Sequence, residues 1–532
     1  MKTTYKLAAL SILLAAFLFC ALQKLSLPGY QSDEGFYTVP ALNLIQNTSL
    51  DEHVDYRLIV FGRRLPLMNG SYIGSTQVYL LVPFLQAFGK NYLSSRLMPI
   101  FLAMISIGLV WLLCEYLFNW RVALMAGTLT GLNASYILWS RIGLLGEGPL
   151  LVTLGLLTMI FLARWYREGK QLFLFAAAFT AGFGLYTKIN FLFILAGLTV
   201  SAAVFQKALA AKLTKKQAFV SVLFFLLGLS PLIVFNIDRG FETLKVVFWA
   251  ASTGMSPYGN ENNWNFTANF VLRVKQLISM LGGGAYYTAG QKTPQPLIFL
   301  VFVFSWIFTA VKLTLRKNER QRAPAAIILI CAAAVFAGSC FTTSGFFNHH
   351  LFIIYPFAFI TIALFFDHWA RYPKMAGIVI APVLAVYLAM NAHTLYAKYR
   401  YMQESGERAE WSGAVYDLDR YLEESNIQKP LTMDGRVKYN LQVLSGGRID
   451  PVIINYENGD FAQNCNKSLS EKGNHYIFLS PRCYTFRGKI SPYKTFLDCV
   501  KKNNKELRLE RTFPDKQGET VYTIFSAEDK RR

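Results

Sequence analysis

Charged residues are scarce in this chain of 532 residues: Asp, Glu, Lys and Arg together make up 16%, against 53% hydrophobic and 15% aromatic residues. A string of water-soluble domains needs more polar surface than that. No C-x-x-C pair occurs among the seven cysteines, so the spacing of a metal or redox motif is absent. There is no internal repeat and no low-complexity segment, which speaks against a carrier built from duplicated halves. The first apolar run, "LAALSILLAAFLFCAL", is not followed by an A-x-A-like cleavage site and reads as a retained span rather than a secretory signal.

What the chain does have is long apolar blocks. Runs of 18 or more apolar residues read as membrane-spanning helices. Candidate spans cover 6–24, 96–118, 121–139, 147–163, 171–187, 189–206, 217–236, 295–314, 323–341, 349–366 and 374–392. The expected fold is a polytopic α-helical membrane protein of about eleven spans. The net charge of +21 does not call for nucleic acid as a partner, because much of the excess sits in short loops between apolar blocks.

Those loops set the topology. Arg164, Arg167 and Lys170 form one basic cluster; Lys207, Lys212, Lys215 and Lys216 form a second; Lys312, Arg316, Lys317, Arg320 and Arg322 form a third. All three face the cytoplasm only if the short apolar stretch 78–88, interrupted by Pro83, fails to cross. Residues 71–89 are therefore expected to form a re-entrant or interfacial helix within the first external loop. Residues 25–95, 140–147, 238–294 and 342–350 then face outward.

The same count divides the chain into a membrane domain, 1–392, and an external domain, 393–532. In the latter, "KPLTMDG", "HYIFLS" and "VYTIFSA" read as short strands, and "YKTFLDCVKKN" reads as a helix, which predicts a small α/β domain. One disulfide is open among Cys465, Cys483 and Cys499, its pairing unassigned.

Ionisable residues gather at the outward ends of the spans, where they are functional candidates. Asp33 and Glu34 lie just past the first span, with Tyr37 one helical turn beyond Asp33. A purely structural role for the pair is available: Ser32 caps a helix and the acids complement its dipole. Arg141 and Glu147 sit in "SRIGLLGEG", Lys188 in "GLYTKIN", and His349 and His350 in "FFNHHLF". Snorkelling accounts for Arg141 or Lys188 taken singly, and an ordinary interfacial step accounts for the histidines.

"DEGFY" resembles the D-E-x-x-Y pattern that opens the first external loop of polyprenyl-phosphate-sugar-dependent membrane glycosyltransferases of the C-type fold. These include the protein O-mannosyltransferases and the lipid A aminoarabinose transferases. "SRIGLLGEGPL" is similar to the segment carrying the family's second acid, here Glu147, and "GLYTKINF" is similar to its T-K-G-like turn. The resemblance runs over roughly 6–360.

It implies an inverting transfer of a sugar from a polyprenyl-phosphate donor to an acceptor hydroxyl on the external face. Asp33 would be the general base, supported by Glu34, Glu147 and Tyr37, with Lys188, Arg141, His349 and His350 meeting the donor phosphate. The paired acids are also able to take a divalent cation, although two or three oxygen ligands do not define a metal site. A lipid, protein or glycan acceptor is equally compatible, as is a bacterial inner membrane with the site facing the periplasm. The rivals are a carrier or flippase for lipid-linked sugars and a scaffold displaying the external domain. The scaffold leaves Asp33, Glu147 and Lys188 without a use.

Overall fold

The structure, a computed structural model, describes residues 3–48, 56–143, 147–253, 265–284, 296–315, 321–342, 347–372, 374, 376–454, 461–471, 473–480 and 492–529. The first half comprises α1 (Thr3–Leu22), α2 (Ser32–Gln46), β1 (Tyr56–Val60), β2 (Arg63–Gly70), β3 (Ile73–Gly74), α3 (Thr76–Phe88), α4 (Tyr92–Leu117), α5 (Trp120–Gly131), α6 (Ala134–Ser140), α7 (Glu147–Glu168), α8 (Gln171–Thr187) and α9 (Leu192–Val204). It continues through α10 (Gln206–Ala210), α11 (Lys215–Asp238), α12 (Glu242–Thr253), α13 (Phe266–Leu281), α14 (Pro296–Leu315), α15 (Arg322–Cys340), α16 (Tyr355–Trp369) and α17 (Ala381–Ser405).

Among the described residues eight helices are long and apolar enough to cross a membrane. The expected span 121–139 is instead a broken pair, α5 and α6, bent by 61°. Asn133 sits at the break: its side chain accepts from Tyr136 N and donates to the carbonyls of Met280 and Leu281, so α13 stabilises the bend. The expected spans at 171–187 and 189–206 appear as the shorter apolar helices α8 and α9. A span count of eleven therefore depends on these three segments crossing. Helix α3 has 13 residues, a rise of about 20 Å, short of a bilayer's hydrocarbon core.

Helices in lipid associate through close packing rather than hydrophobic drive. The contact of α8 with α11 shows this directly. A Cβ on Gly182 would lie 2.0 Å from the Phe225 carbonyl oxygen, and one on Gly228 would lie 2.3 Å from the Phe179 carbonyl oxygen. Each glycine makes room for the other helix's backbone.

The first external loop of the sequence reading contains structure that apolar periodicity did not reveal. Strands β1, β2 and β3 form a three-stranded antiparallel sheet between α2 and α3. Likewise the long loop expected at 238–294 carries α12 and α13.

The expected boundary at 392/393 falls inside α17, which runs on to Ser405 and ends at the left-handed Gly406. The joint below it is held by a buried ion pair, Lys398 Nζ to Glu407 Oε1, at 2.5 Å. Beyond it lie α18 (Ala414–Glu424), β4 (Leu431–Thr432), α19 (Gly435–Leu444), β5 (Val452–Ile453), α20 (Phe461–Ser470), β6 (His475–Leu479), α21 (Pro492–Lys502), β7 (Lys505–Pro514) and β8 (Thr520–Asp529). The five strands form one mixed sheet in the order β5-β4-β6-β8-β7. Cys465 of α20 bonds Cys499 of α21; Cys483 lies outside the described residues. The small α/β domain is present, with β5 and β7 added to the strands expected.

Candidate active site

Helix α2 is positioned by a cap and by one arginine. Gln31, not Ser32, is the cap: its side chain accepts from Asp33 N at 3.0 Å, while Gln31 N donates to Glu34 Oε1 at 3.2 Å. This reciprocal pair satisfies two of the helix's orphan N–H groups. Ser32 is the first helical residue.

The two acids of the opening pair then part company. Glu34 is fully buried and meets Arg96 of α4 in a two-pronged ion pair, Nε to Oε2 at 2.8 Å and Nη2 to Oε1 at 2.6 Å. Glu34 Oε2 also accepts from Gly143 N at 2.9 Å. Arg96 spends its remaining donors on the carbonyls of Leu25, Pro28 and Gly29. One side-chain pair thus fixes the α1–α2 connection, the start of α2 and the end of the α6 turn. Asp33, one residue earlier, is exposed. Tyr37 is buried, its ring edge-on to Phe36 at 5.0 Å.

A chain of hydrogen bonds leads from this acid to the end of α8. Gly143 O accepts from Gln77 Nε2 of α3 at 2.7 Å, and Thr76 Oγ1 lies 3.0 Å from Thr187 Oγ1. Tyr186 Oη donates to Leu67 O and accepts from Ser75 N. Asn69 of β2 accepts from Ser75 Oγ and donates to Phe36 O of α2. Gly74 is required here, since a Cβ would come within 2.5 Å of Tyr186 O. The small sheet and the N-terminus of α3 are therefore the brace between α2 and α8.

At the end of that brace sits Lys188, buried and extended in backbone, bridged through its main chain to Ile73. His349 and His350 begin the 3-10 segment Asn348–Ile354, with ring centroids 4.1 Å apart. His350 Nδ1 accepts from Phe347 N at 3.1 Å, and His349 lies against Trp139 at 5.4 Å. Lys188 is within electrostatic reach of both histidines, and Arg273 of α13 is within reach of His350. Arg273 is buried, donating to Ser339 O, Gln276 Oε1 and Thr342 Oγ1. Lys188, His349 and His350 are thus brought together, with Arg273 as an unforeseen fourth member. The signal for it was a polar stripe, Asn269, Arg273 and Gln276, at helical spacing on one buried face of α13.

Arg141 has other partners. It caps α6, donates to Lys24 O at 2.6 Å and lies 4.8 Å from the Tyr399 ring. Its Nε and Nη1 are buried without a hydrogen-bond partner among the described residues. Glu147 starts α7, and its side chain lies outside the described residues. Among the described residues no group of three or more His, Cys, Asp or Glu side chains is arranged to hold a metal ion. Glu34, saturated by Arg96 and Gly143, is not free to join one.

The described residues thus combine an exposed carboxylate at a helix N-terminus, a buried acid that anchors that helix, and, one brace away, Lys188 and Arg273 beside two histidines. The comparisons with known proteins show what the chain is similar to. The profile of the dolichyl-phosphate-mannose-protein mannosyltransferase family matches residues 77–235. Among solved structures, ArnT from Cupriavidus metallidurans bound to undecaprenyl phosphate aligns with a TM-score of 0.61 at 14% identity, over 98% of each chain. The oligosaccharyltransferase of Archaeoglobus fulgidus tethered with an acceptor peptide aligns with a TM-score of 0.55 at 13% identity, over 98% of this chain and 74% of that one. No curated protein matches in sequence. The resemblance to polyprenyl-phosphate-dependent membrane glycosyltransferases is borne out, and with it the assignment of the chain as a glycosyltransferase.

Proposed function

We propose that the protein transfers a sugar from a polyprenyl-phosphate donor to an acceptor hydroxyl on the external face of a bacterial inner membrane, with inversion. Asp33 is the general base. As the acceptor oxygen attacks the anomeric carbon its proton passes to Asp33, and the bond from that carbon to the phosphate oxygen breaks with its electron pair leaving on phosphate. Lys188, His349, His350 and Arg273 stabilise the charge that grows there. Arg141, with two buried donors unspent, is a further phosphate ligand. Glu34 acts only by holding α2, Tyr37 supports the same helix, and Glu147 orients the acceptor. ArnT, which binds undecaprenyl phosphate, and AglB from Archaeoglobus fulgidus, which has been solved with a dolichol-phosphate and an inhibitory peptide, support donor and acceptor of these kinds.

The observation that carries this reading is the division of labour in the acidic pair: Glu34 is consumed by Arg96 while Asp33 is left exposed beside it. Asp33→Asn keeps the shape and removes the base. Turnover of a panel of undecaprenyl-phosphate sugars should fall about 10²–10⁴-fold, with thermal stability unchanged. Wild-type turnover in the folded variant would overturn the assignment.

A further inference from the structure

The start of α2 is roofed by the C-terminal domain. Gly29 N donates to Trp411 O at 2.8 Å, and Tyr416 Oη donates to Ser26 O at 2.7 Å. A Cβ on Gly35 would lie 2.7 Å from Tyr439 Cβ of α19, so only glycine allows the two helices to meet there. Farther along, Gln46 Nε2 donates to Gly446 O at 2.9 Å.

This contact carries a charged corner. Glu410, in the short helical turn Ala409–Trp411, accepts from Arg436 Nη1 at 2.8 Å. Arg436 in turn grips Asp434, Nη2 to Oδ2 at 2.8 Å. The Glu410 and Arg436 side chains are 15% and 21% exposed. Asp33 lies within electrostatic reach of Glu410, and so does Asp434. The charged groups at this corner among the described residues include Asp33 and Glu34 on α2, Arg96 on α4, Glu410 on its turn, and Asp434 and Arg436 at the start of α19. Glu34 and Arg96 cancel each other. Among the described residues this leaves Asp33, Glu410 and Asp434 beside Arg436.

Burial lifts the Glu410 carboxyl above its ordinary range; Arg436 opposes this, and Asp33 and Asp434 add to it. Carboxylates that perturb one another in this way are candidates for a functional site.

We propose that Glu410, held by Arg436, is a positioning residue for Asp33, supplied to the active site by the C-terminal domain. The proposal rests on the reading of Asp33 as the base. Its negative charge favours the proton on Asp33, which makes Asp33 a stronger acceptor for the hydroxyl proton. Glu410 itself forms no bond to the sugar and takes no proton in the transfer. The site is then complete only when the C-terminal domain is docked on α2.

The test reads Asp33 directly and needs no knowledge of the sugar. Carbodiimide coupling of an amine to Asp33 in the full-length detergent-solubilised protein, followed by peptide mass spectrometry across pH, reports the protonated fraction of that carboxyl. Glu410→Gln removes a like charge, so the midpoint should move down by roughly half a pH unit or more. Arg436→Gln removes an opposite charge, so it should move up. Glu410→Asp keeps the charge and should restore the wild-type midpoint. A merely structural contact would give no such opposed pair of shifts. Identical midpoints in wild type and both neutral variants would overturn the proposal. If one variant fails to fold, the other still decides by the sign of its shift. Failure of the base assignment is a separate result: Asp33→Asn would keep its turnover while the coupling remained.

Discussion

Glu34 and Arg96 form an ion pair that fastens the start of α2 to α4. Both are fully buried, and ions taken out of water are tolerated only when every polar atom is satisfied. Here two prongs, two backbone N–H groups and three carbonyls provide that. Breaking such a pair by removing one partner leaves a buried, uncompensated charge, at a cost of about 3–5 kcal/mol. Arg96→Met should therefore lower the thermal midpoint and the folded yield sharply, measured by size-exclusion fluorescence after heating. Asp33→Asn should leave both where they are. A stable Arg96→Met protein would show that the pair is dispensable to the fold. The sequence shows the acids side by side but not that they have opposite fates. The fate of Glu34 depends on an arginine 62 residues away, and no local periodicity encodes that.

At the scale of elements, the site is assembled from helix ends rather than helix bodies. Asp33 lies in the first turn of α2, Lys188 follows α8, Arg141 follows α6, and the two histidines precede α16. This much was legible, because hydropathy locates where apolar runs stop and the charges sit at those stops. The connecting brace was not. Strands β1–β3 are short and buried on one side only in part, and they carry no clean alternation against the apolar blocks around them. Arg273 was hidden for a related reason, since α13 lies in what reads as a long external loop. Lys188 offers a clean test of the element. Its backbone makes the bridge to Ile73, so truncating the side chain spares the brace. Lys188→Ala should cost turnover about 2–4 kcal/mol of transition-state stabilisation with the thermal midpoint retained, and Arg273→Gln should lower turnover in the same direction. Normal turnover in Lys188→Ala would make it a snorkelling residue.

At the scale of the whole molecule, everything proposed for the reaction lies at one end of the bundle, and the C-terminal domain closes over that end. Asp33, the Lys188–histidine cluster and the interdomain corner at Glu410 form one continuous neighbourhood through α2, α3 and α19. The basic clusters near 164–170 and 207–216 flank the opposite ends of α7 and α11. Such an asymmetry has a physical consequence, because Lys- and Arg-rich short loops are retained on the cytoplasmic side. By that rule we propose that the site and the sheet domain face outward, where a lipid-linked donor delivered to the outer leaflet can reach them. Cysteines placed at Gln517, in the exposed β7–β8 turn, and at Lys207, between α9 and α11, separate the two sides. They are introduced singly into a chain whose other five cysteines have been replaced, leaving only Cys465–Cys499. A membrane-impermeant maleimide applied to cells with a permeabilised outer envelope should label Gln517→Cys at once, and Lys207→Cys only after the inner membrane is opened. The reverse pattern would turn the molecule over. It would place Asp33 in the cytoplasm, and the proposed reaction on the external face would have to be abandoned even if Asp33 were essential.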